Sequence, residues 1–277
     1  MEQTSLPVYK VTVPITGSQL TLSIRGDFHY GVKDVDICDM LKVLEREQDQ
    51  HRGNQFIIYT GDLIENNLTS SVGHGYDLKI KDPHVQKTEM RDALVRLQKH
   101  LHGKQFQKVD AFGNKGVLAA GVIGNHEYRS RNVSGQWIQA DMYGPAKILD
   151  LGISGILELT IVNKHINISK SYRIFISHRP SSGNATSIES IIRSAKKKKG
   201  DVPADIYVYG HFHRRIILPD GAYTPDGEFK KVLYIVNPSP ITHLEYVDWG
   251  GFSPLSAGWY VNVYLPLEKD KFAYGKV

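Results

Sequence analysis

Val117-Leu118-Ala119-Ala120-Gly121-Val122-Ile123-Gly124-Asn125-His126-Glu127 joins two kinds of chemistry in one short stretch. The first seven residues are apolar or small and carry no charge, as expected of a strand buried on both faces. The glycine that closes the run lets the backbone turn, and an amide, an imidazole and a carboxylate follow it. The same order recurs on both sides. Upstream, residues 20–24 lead to Gly26-Asp27-Phe28-His29, and 56–59 lead to Gly61-Asp62-Leu63-Ile64-Glu65. Downstream, 173–176 lead to Ser177-His178, and 206–209 to Gly210-His211-Phe212-His213; a sixth run of the same kind spans 232–236. Helical spacing fills segments between them, at 35–47, at 85–101 (Val85, Met90, Leu94, Leu97, Leu101) and at 187–198. Strand and helix alternate, which predicts an α/β fold. Strand ends line the functional crevice of such sheets, so the five clusters are expected to meet.

The bulk properties narrow the classes. With 41% hydrophobic and 23% charged residues the chain matches ordinary globular proteins, not disordered or fibrous ones. No run nears the roughly 18 apolar residues of a membrane span, and residues 1–10 lack an apolar signal core, so the expected location is the cytoplasm. Cys38 is the single cysteine. An internal disulfide and a cysteine-based zinc site are therefore excluded, and any metal must be held by histidine, carboxylate and amide groups. A net charge of +5 and a pI near 9.0 favour anionic partners. The lysines at 196–199 follow an apolar-periodic helix and precede Gly200, the pattern of a basic helix end rather than a nucleic-acid patch. The 15 tyrosines are read as core and sheet residues before base-stacking ones.

No repeat, low-complexity segment or linker-like break divides the 277 residues, so one domain over 1–277 is expected. About sixty residues separate the second and third clusters, more than a crossover helix needs, which points to an inserted loop or cap within 66–116. After 155 strand outweighs helix. Leu218-Pro219-Asp220-Gly221 and Thr224-Pro225-Asp226-Gly227 read as turns.

Asp27-x-His29 and His211-x-His213 each set two ligand-type side chains at i and i+2, on one side of an extended chain. A histidine after a strand is, by itself, as well explained by a satisfied structural role. Five such clusters in sequence are not. A carboxylate bridging two divalent ions would let them polarise a phosphoryl oxygen and lower the pKa of a shared water, making it a nucleophile at neutral pH.

The succession Asp-x-His, Gly-Asp, Gly-Asn-His-Glu, His and Gly-His-x-His resembles the calcineurin-like metallophosphoesterase superfamily, over residues 22–213 by motif. The resemblance implies a four-layer α/β/β/α sandwich of two mixed sheets with helices outside. It implies one metal held by Asp27, His29, Asp62 and His213, and a second by Asp62, Asn125, His178 and His211. His126 would face the leaving-group oxygen as general acid. Glu65 stands where the protein serine/threonine phosphatases of this superfamily carry an aspartate supporting that histidine. The next residue, an arginine holding phosphate in those enzymes, is Asn66 here, which argues against a phosphoprotein substrate. Ser177 replaces a frequent glycine.

Arg129 is a candidate substrate contact, with Arg131 and Arg179 behind it. The histidines at 51, 74, 84, 100, 102, 165 and 243 match no motif and are read as surface or structural, although Gly73-His74-Gly75 sits in a loop that could overhang the site. Residues 124–135 also resemble, loosely, superfamily members carried by phages and other mobile elements. The expected function is a phosphodiesterase or nuclease acting on a phosphate-ester substrate, nucleic acid included. A small-molecule phosphomonoesterase is one alternative; a non-catalytic scaffold, as in the retromer subunit of the superfamily, is another. The expected cofactors are two divalent ions, Mn²⁺ first, with Fe, Zn²⁺, Co²⁺ and Ni²⁺ compatible with the same donors.

Overall fold

A computed structural model describes residues 6–66, 78–113, 115–135, 137–179, 187–197, 202–223, 227, 229–241, 258–268 and 273–274. Strand β3 (Gln55–Tyr59) explains the layering. Phe56 and Ile58 point into a core shared by two sheets, whereas Ile57 and Tyr59 point into a second core beneath helices. A central strand covered on both faces needs apolar side chains at every position, which is why this run shows no alternation.

Among the described residues, the first sheet joins β3 to β2 (Gln19–Arg25), β4 (Ala119–Gly121), β5 (Leu149–Asp150), β11 (Tyr260–Pro266) and β12 (Ala273–Tyr274), in the order β12-β11-β2-β3-β4-β5. β2 through β5 run parallel, and β11 and β12 add an antiparallel edge. The second sheet contains β1 (Val8–Pro14), β6 (Ser154–Asn163), β7 (Ile168–Ser177), β8 (Ile206–Tyr209), β9 (Ile216–Tyr223) and β10 (Phe229–Val236), in the order β1-β6-β7-β8-β10-β9. Here β7, β8 and β10 run parallel to one another. Val11, Leu157, Leu159, Ile174, Ile206 and Leu233 meet the inner face of the first sheet.

Helices α1 (Ile37–Gln50), α2 (Pro83–His102) and α4 (Ile138–Ala146) cover the outer face of the first sheet through Met40, Leu44, Leu94, Leu97 and Met142. Helix α5 (Ile188–Lys197) covers the second sheet through Ile191 and Ala195, against Phe175, Tyr207 and Tyr234. The chain thus adopts the four-layer α/β/β/α architecture expected of it. Among the described residues no helix is long and apolar enough to cross a membrane.

Capping residues set the helix limits. Asp36 accepts from the amides of Cys38 and Asp39 to start α1, and Asp82 accepts from His84 N with Pro83 in the first turn of α2. Helix α2 and the 3-10 turn Gly103–Lys108 occupy much of the 66–116 interval, and α2 packs in the ordinary helical layer. Residues 67–77, including Gly73-His74-Gly75, lie outside the described residues, as do His243 and residues 198–200. Lys196, in the last turn of α5, pairs with Asp220 at 3.1 Å.

The expected turn at Leu218-Pro219-Asp220-Gly221 is corrected: these residues run inside β9, where Pro219 pairs with Leu233 and Gly221 with Lys231. β9 is an edge strand, so proline's missing N–H is tolerated. The Phe229 ring covers Gly221, where a Cβ would stand 2.0 Å from it. The hairpin turns after Tyr223, and Gly227 takes φ 83° there; the rest of that expected turn is outside the described residues. The ladder of β4 is also shorter than the 117–123 run.

Beneath the first sheet, Arg25 and Glu47 are both 0% exposed and form an ion pair. Glu47 also accepts from Gln55 at 2.6 Å, and Arg25 Nε donates to Ser23 Oγ at 3.2 Å.

Candidate metal centre

The parallel strands of both sheets end at one place. β2 delivers Asp27 and His29, β3 delivers Asp62 and Glu65, and the turn after β4 delivers Asn125 and His126 at the start of α3 (Asn125–Ser134). From the other sheet, β7 delivers His178, and β8 delivers His211 and His213. Among the described residues eight non-glycine residues have positive φ, and six are here: Asp27, His29, Asp62, Asn66, His211 and His213. Each departs from the favoured backbone at a cost of order 1–3 kcal/mol, and such strain clusters at functional positions. Close approach demands glycine at 124, where a Cβ would lie 2.0 Å from Asp62 Oδ1.

Asp62 stands at the middle. Its Oδ2 lies 3.0 Å from His178 Nε2, 3.8 Å from His29 Nε2 and 3.9 Å from His126 Nε2. His29 Nε2 and His213 Nε2 are 2.9 Å apart, and His213 Nε2 is 3.7 Å from Asp27 Oδ1. His178 Nε2 is 2.9 Å from Asn125 Oδ1. Donor atoms of Asp27, His29 and His213 gather within 4.8 Å of one another, as do those of His29, Asp62 and His126, and of Asp62, His178 and His211. All seven expected ligands therefore converge.

The chemistry of the donors fits a cation. Nδ1 of His29 faces the Glu65 carboxylate at 2.8 Å, and Nδ1 of His178 faces the Thr60 carbonyl at 2.7 Å. Both acceptors hold the ring proton on Nδ1, which turns the Nε2 lone pairs toward carboxylate and amide oxygens that are acceptors too. Lone pairs crowded this closely need a positive charge between them. The electrostatics of the cluster agree. Burial opposes a charge on His178, yet Asp62, Asp27 and the Thr60 carbonyl lift its pKa to about 9. Burial likewise opposes charge on His29, and Glu65 with Asp62 and Asp27 raises it to about 8. Asp27 is pushed up to about 6 by burial, against the pull of His178. His211 is pushed down to about 3 by burial and by His178. The cluster takes up protons where it could take metal.

His126 is held at three points by one loop. Its N–H donates to Asp62 Oδ1 (2.8 Å), its Nδ1–H to the Glu65 carbonyl (2.6 Å), and its own carbonyl accepts from Asn66 Nδ2 (2.5 Å). Glu65 thus serves both histidines with different atoms: the carboxylate reaches His29, lies 3.4 Å from His126 Nδ1, and leaves the main-chain oxygen as the closer partner. The Arg129 guanidinium lies along the His126 ring, with Nη1 3.2 Å from Nδ1 and Nη2 3.2 Å from Nε2. Arg179 is near enough to His211 to lower its pKa, whereas Arg131 stacks on Trp137 at 4.1 Å and on Tyr128 at 5.5 Å.

Sequence reasoning missed the groups that hold this arrangement together. Glu127, 2% exposed, accepts from four backbone amides: Asp62 (2.9 Å), Leu63 (2.5 Å), Ile64 (3.2 Å) and Gly124 (3.0 Å). Ser239 Oγ donates to the Asp27 carbonyl (2.6 Å) and Asn237 Nδ2 to the Gly26 carbonyl (3.0 Å). Thr60 Oγ1 donates to Asp27 Oδ2 (3.3 Å), and Gln86 accepts from Asn66 N (2.8 Å). Asn237 and Ser239 close the sixth apolar run, so the same order of strand and then polar residue marks them in the sequence.

No protein-family model matches the chain, and no curated protein matches it. Similar solved structures include calcineurin-like phosphoesterase YfkN from Bacillus subtilis, with 12% identity over 93% of this chain and 88% of that one, TM-score 0.40. Wild-type Vps29 complexed with Zn²⁺, from Entamoeba histolytica, is similar at 13% identity over 93% of this chain and 98% of that one, TM-score 0.39. A predicted phosphoesterase from Streptococcus pneumoniae TIGR4 is similar at 12% identity over 90% of this chain and 85% of that one, TM-score 0.36.

Proposed function

We propose that this chain is a metal-dependent phosphoester hydrolase of the calcineurin-like kind, acting on phosphodiesters, nucleic acid included. The observation that carries the reading is the meeting of seven ligand-type side chains from both sheets, with His29 and His178 turned Nε2-inward. Asp27, His29, Asp62 and His213 would hold one ion, and Asp62, Asn125, His178 and His211 the other. Bound there, divalent ions supply Lewis acidity toward phosphoryl oxygens and an acidified water, with Mn²⁺ the expected activator.

The chain's own residues do the rest. With Nδ1–H committed to the Glu65 carbonyl, His126 presents Nε2, which in the doubly protonated ring gives its proton to the leaving oxygen; burial disfavours that charged form, and Asp62 and Glu65 favour it. Arg129, in line with that ring, binds the phosphoryl group beside it, and its fork suits a tetrahedral anion. Positive charge in excess, +5 overall, supports a polyanionic substrate. Asn66 is buried with its side-chain amide turned to α3, which supports a substrate other than a phosphoprotein.

The test is the metal-stripped protein assayed on a bis-aryl phosphate, an aryl monoester and single-stranded DNA, with Mn²⁺, Zn²⁺, Co²⁺, Ni²⁺ or Fe²⁺ restored singly. Diester or DNA cleavage dependent on added metal is the expected result. Activity confined to monoesters would make it a phosphomonoesterase. Metal binding without hydrolysis of any ester would leave a scaffold.

A further inference from the structure

Three residues of one loop grip His126, and two of them have another duty. Asp62 is a candidate metal ligand, and the Glu65 carboxylate is committed to His29. Asn66 is the third. Its side chain is 0% exposed, and its Nδ2 donates to the His126 carbonyl at 2.5 Å and to Ser130 Oγ at 2.9 Å. Ser130 Oγ is also 3.2 Å from Asn66 Oδ1, so the amide spans the first turn of α3 from residue 126 to residue 130. The backbone at Asn66 takes φ 44°, a left-handed conformation that asparagine tolerates better than most residues. Gln86 fixes it there: Oε1 accepts from Asn66 N at 2.8 Å while Nε2 donates to the Ile80 carbonyl at 2.6 Å. Gln86 is itself 0% exposed.

We propose that Asn66 is the positioning residue of His126: its side-chain amide, carried on a backbone that Gln86 of α2 holds through the Asn66 N–H, sets the start of α3 and so the place of the imidazole over the candidate centre. The assignment rests on the phosphoesterase reading. It follows from the division of labour in the loop. A main-chain carbonyl has two lone pairs, and the helix uses one; Asn66 takes the other and stops α3 from sliding along its axis. A group displaced by about 1 Å from its productive position costs on the order of 10²-fold in rate. Because Asn66 touches none of the seven ligand-type side chains through its amide, altering it separates the placing of His126 from the holding of metal.

Two variants keep the left-handed backbone. N66G removes the amide, and N66D keeps its shape while replacing the donor by an oxygen that faces the His126 carbonyl. For both, kcat on an alkyl or nucleotide ester, whose leaving oxygen needs a proton, should fall 10- to 100-fold with KM nearly unchanged. On a 4-nitrophenyl ester, whose leaving oxygen is stable as an anion, the loss should be under about threefold, since proton donation is not needed there. Metal content by elemental analysis should stay at the wild-type value, and H126Q/N66G should be no slower than H126Q. Wild-type kcat in N66D on the poor leaving group would overturn the proposal. So would equal losses on both esters accompanied by loss of metal, the mark of a merely structural residue. A wild-type protein that binds metal and cleaves neither ester would instead overturn the hydrolase reading itself.

Discussion

Glu127→Gln changes one atom of the site's clasp and keeps its shape. In the wild type Oε2 accepts from Asp62 N and Gly124 N, and Oε1 from Leu63 N and Ile64 N. Burial and the neighbouring Asp62 charge push this carboxyl upward, and the N–H donors pull it back. In glutamine one oxygen becomes NH₂, so two buried backbone donors face a third donor. Each orphaned buried N–H costs about 1–3 kcal/mol, and the two surviving bonds lose their charge assistance. The sum is about 3–5 kcal/mol, a large share of the roughly 5–15 kcal/mol that holds a domain folded. Equilibrium urea unfolding followed by circular dichroism reads it as a lower midpoint at unchanged slope. The same variant should bind metal more weakly, because the Asp62 backbone is what Glu127 holds. A midpoint shift worth less than about 1 kcal/mol together with unaltered metal affinity would refute the clasp.

Four further outcomes are expected. On an ester whose leaving oxygen needs a proton, His126→Gln should lower kcat by about 10²- to 10⁴-fold with metal content unchanged; loss of metal instead would place the residue among the ligands. Glu47→Ala strands a fully buried Arg25 and should cost about 3–5 kcal/mol by urea unfolding, whereas the R25M/E47L pair should be near neutral. Phe28→Ala, removing a 0%-exposed ring, should cost about 3–5 kcal/mol on the same measure and weaken metal binding. Burial pushes His102 down to about 4, and its Nε2 has no protein partner. The unfolded chain therefore binds a proton near pH 6.5 that the folded one refuses, so stability is full above that pH and falls as pH drops toward 4. Between pH 7 and 5 the loss should be about 1–2 kcal/mol after allowance for partial exposure, and H102Q should flatten it; an unchanged slope in that variant would count against it.

The central strands were legible because burial on both faces leaves uninterrupted apolar runs, as at Phe56, Ile57 and Ile58. The ligand-type residues were legible because each follows such a run. Helix α3 was not: Asn125-His126-Glu127-Tyr128-Arg129-Ser130 has no apolar period, and the helix is held by Asn66 and by Glu127 reaching back to Gly124 N. Pro219-Asp220-Gly221 misled for the opposite reason, since an edge strand accepts residues that elsewhere signal a turn. Local pattern reports burial well, and reports poorly a backbone held by distant side chains. Glu127 shows the limit: its four partners belong to residues 62, 63, 64 and 124.

The two sheets solve one geometric problem in the same way. A strand that continued past its end would carry residues i and i+2 away from each other by its rise; to aim both at one point the chain must coil back at once. Asp27 and His29 do so with φ of 51° and 48°, and His211 and His213 with 74° and 52°. Between each pair stands a phenylalanine. Phe28 is buried in the core under α1 and α2, 5.9 Å from the Trp259 ring, and Phe212 packs against the core under α5. The Phe28 ring drives into the helical layer while its two polar neighbours turn to the crevice, and the partly buried Phe212 ring packs both on the core under α5 and 5.3 Å from the His211 ring, so burial of one side chain opposes the strain of the other two. At roughly 1–3 kcal/mol per left-handed residue a flanking pair costs about 2–6 kcal/mol, and a fully buried phenylalanine such as Phe28 offsets about 1.5–3 kcal/mol of it. Asp-Phe-His and His-Phe-His are therefore more than ligand spacings. The middle residue offsets part of the strain of each ligand-type pair, fully buried at Phe28 and partly buried at Phe212.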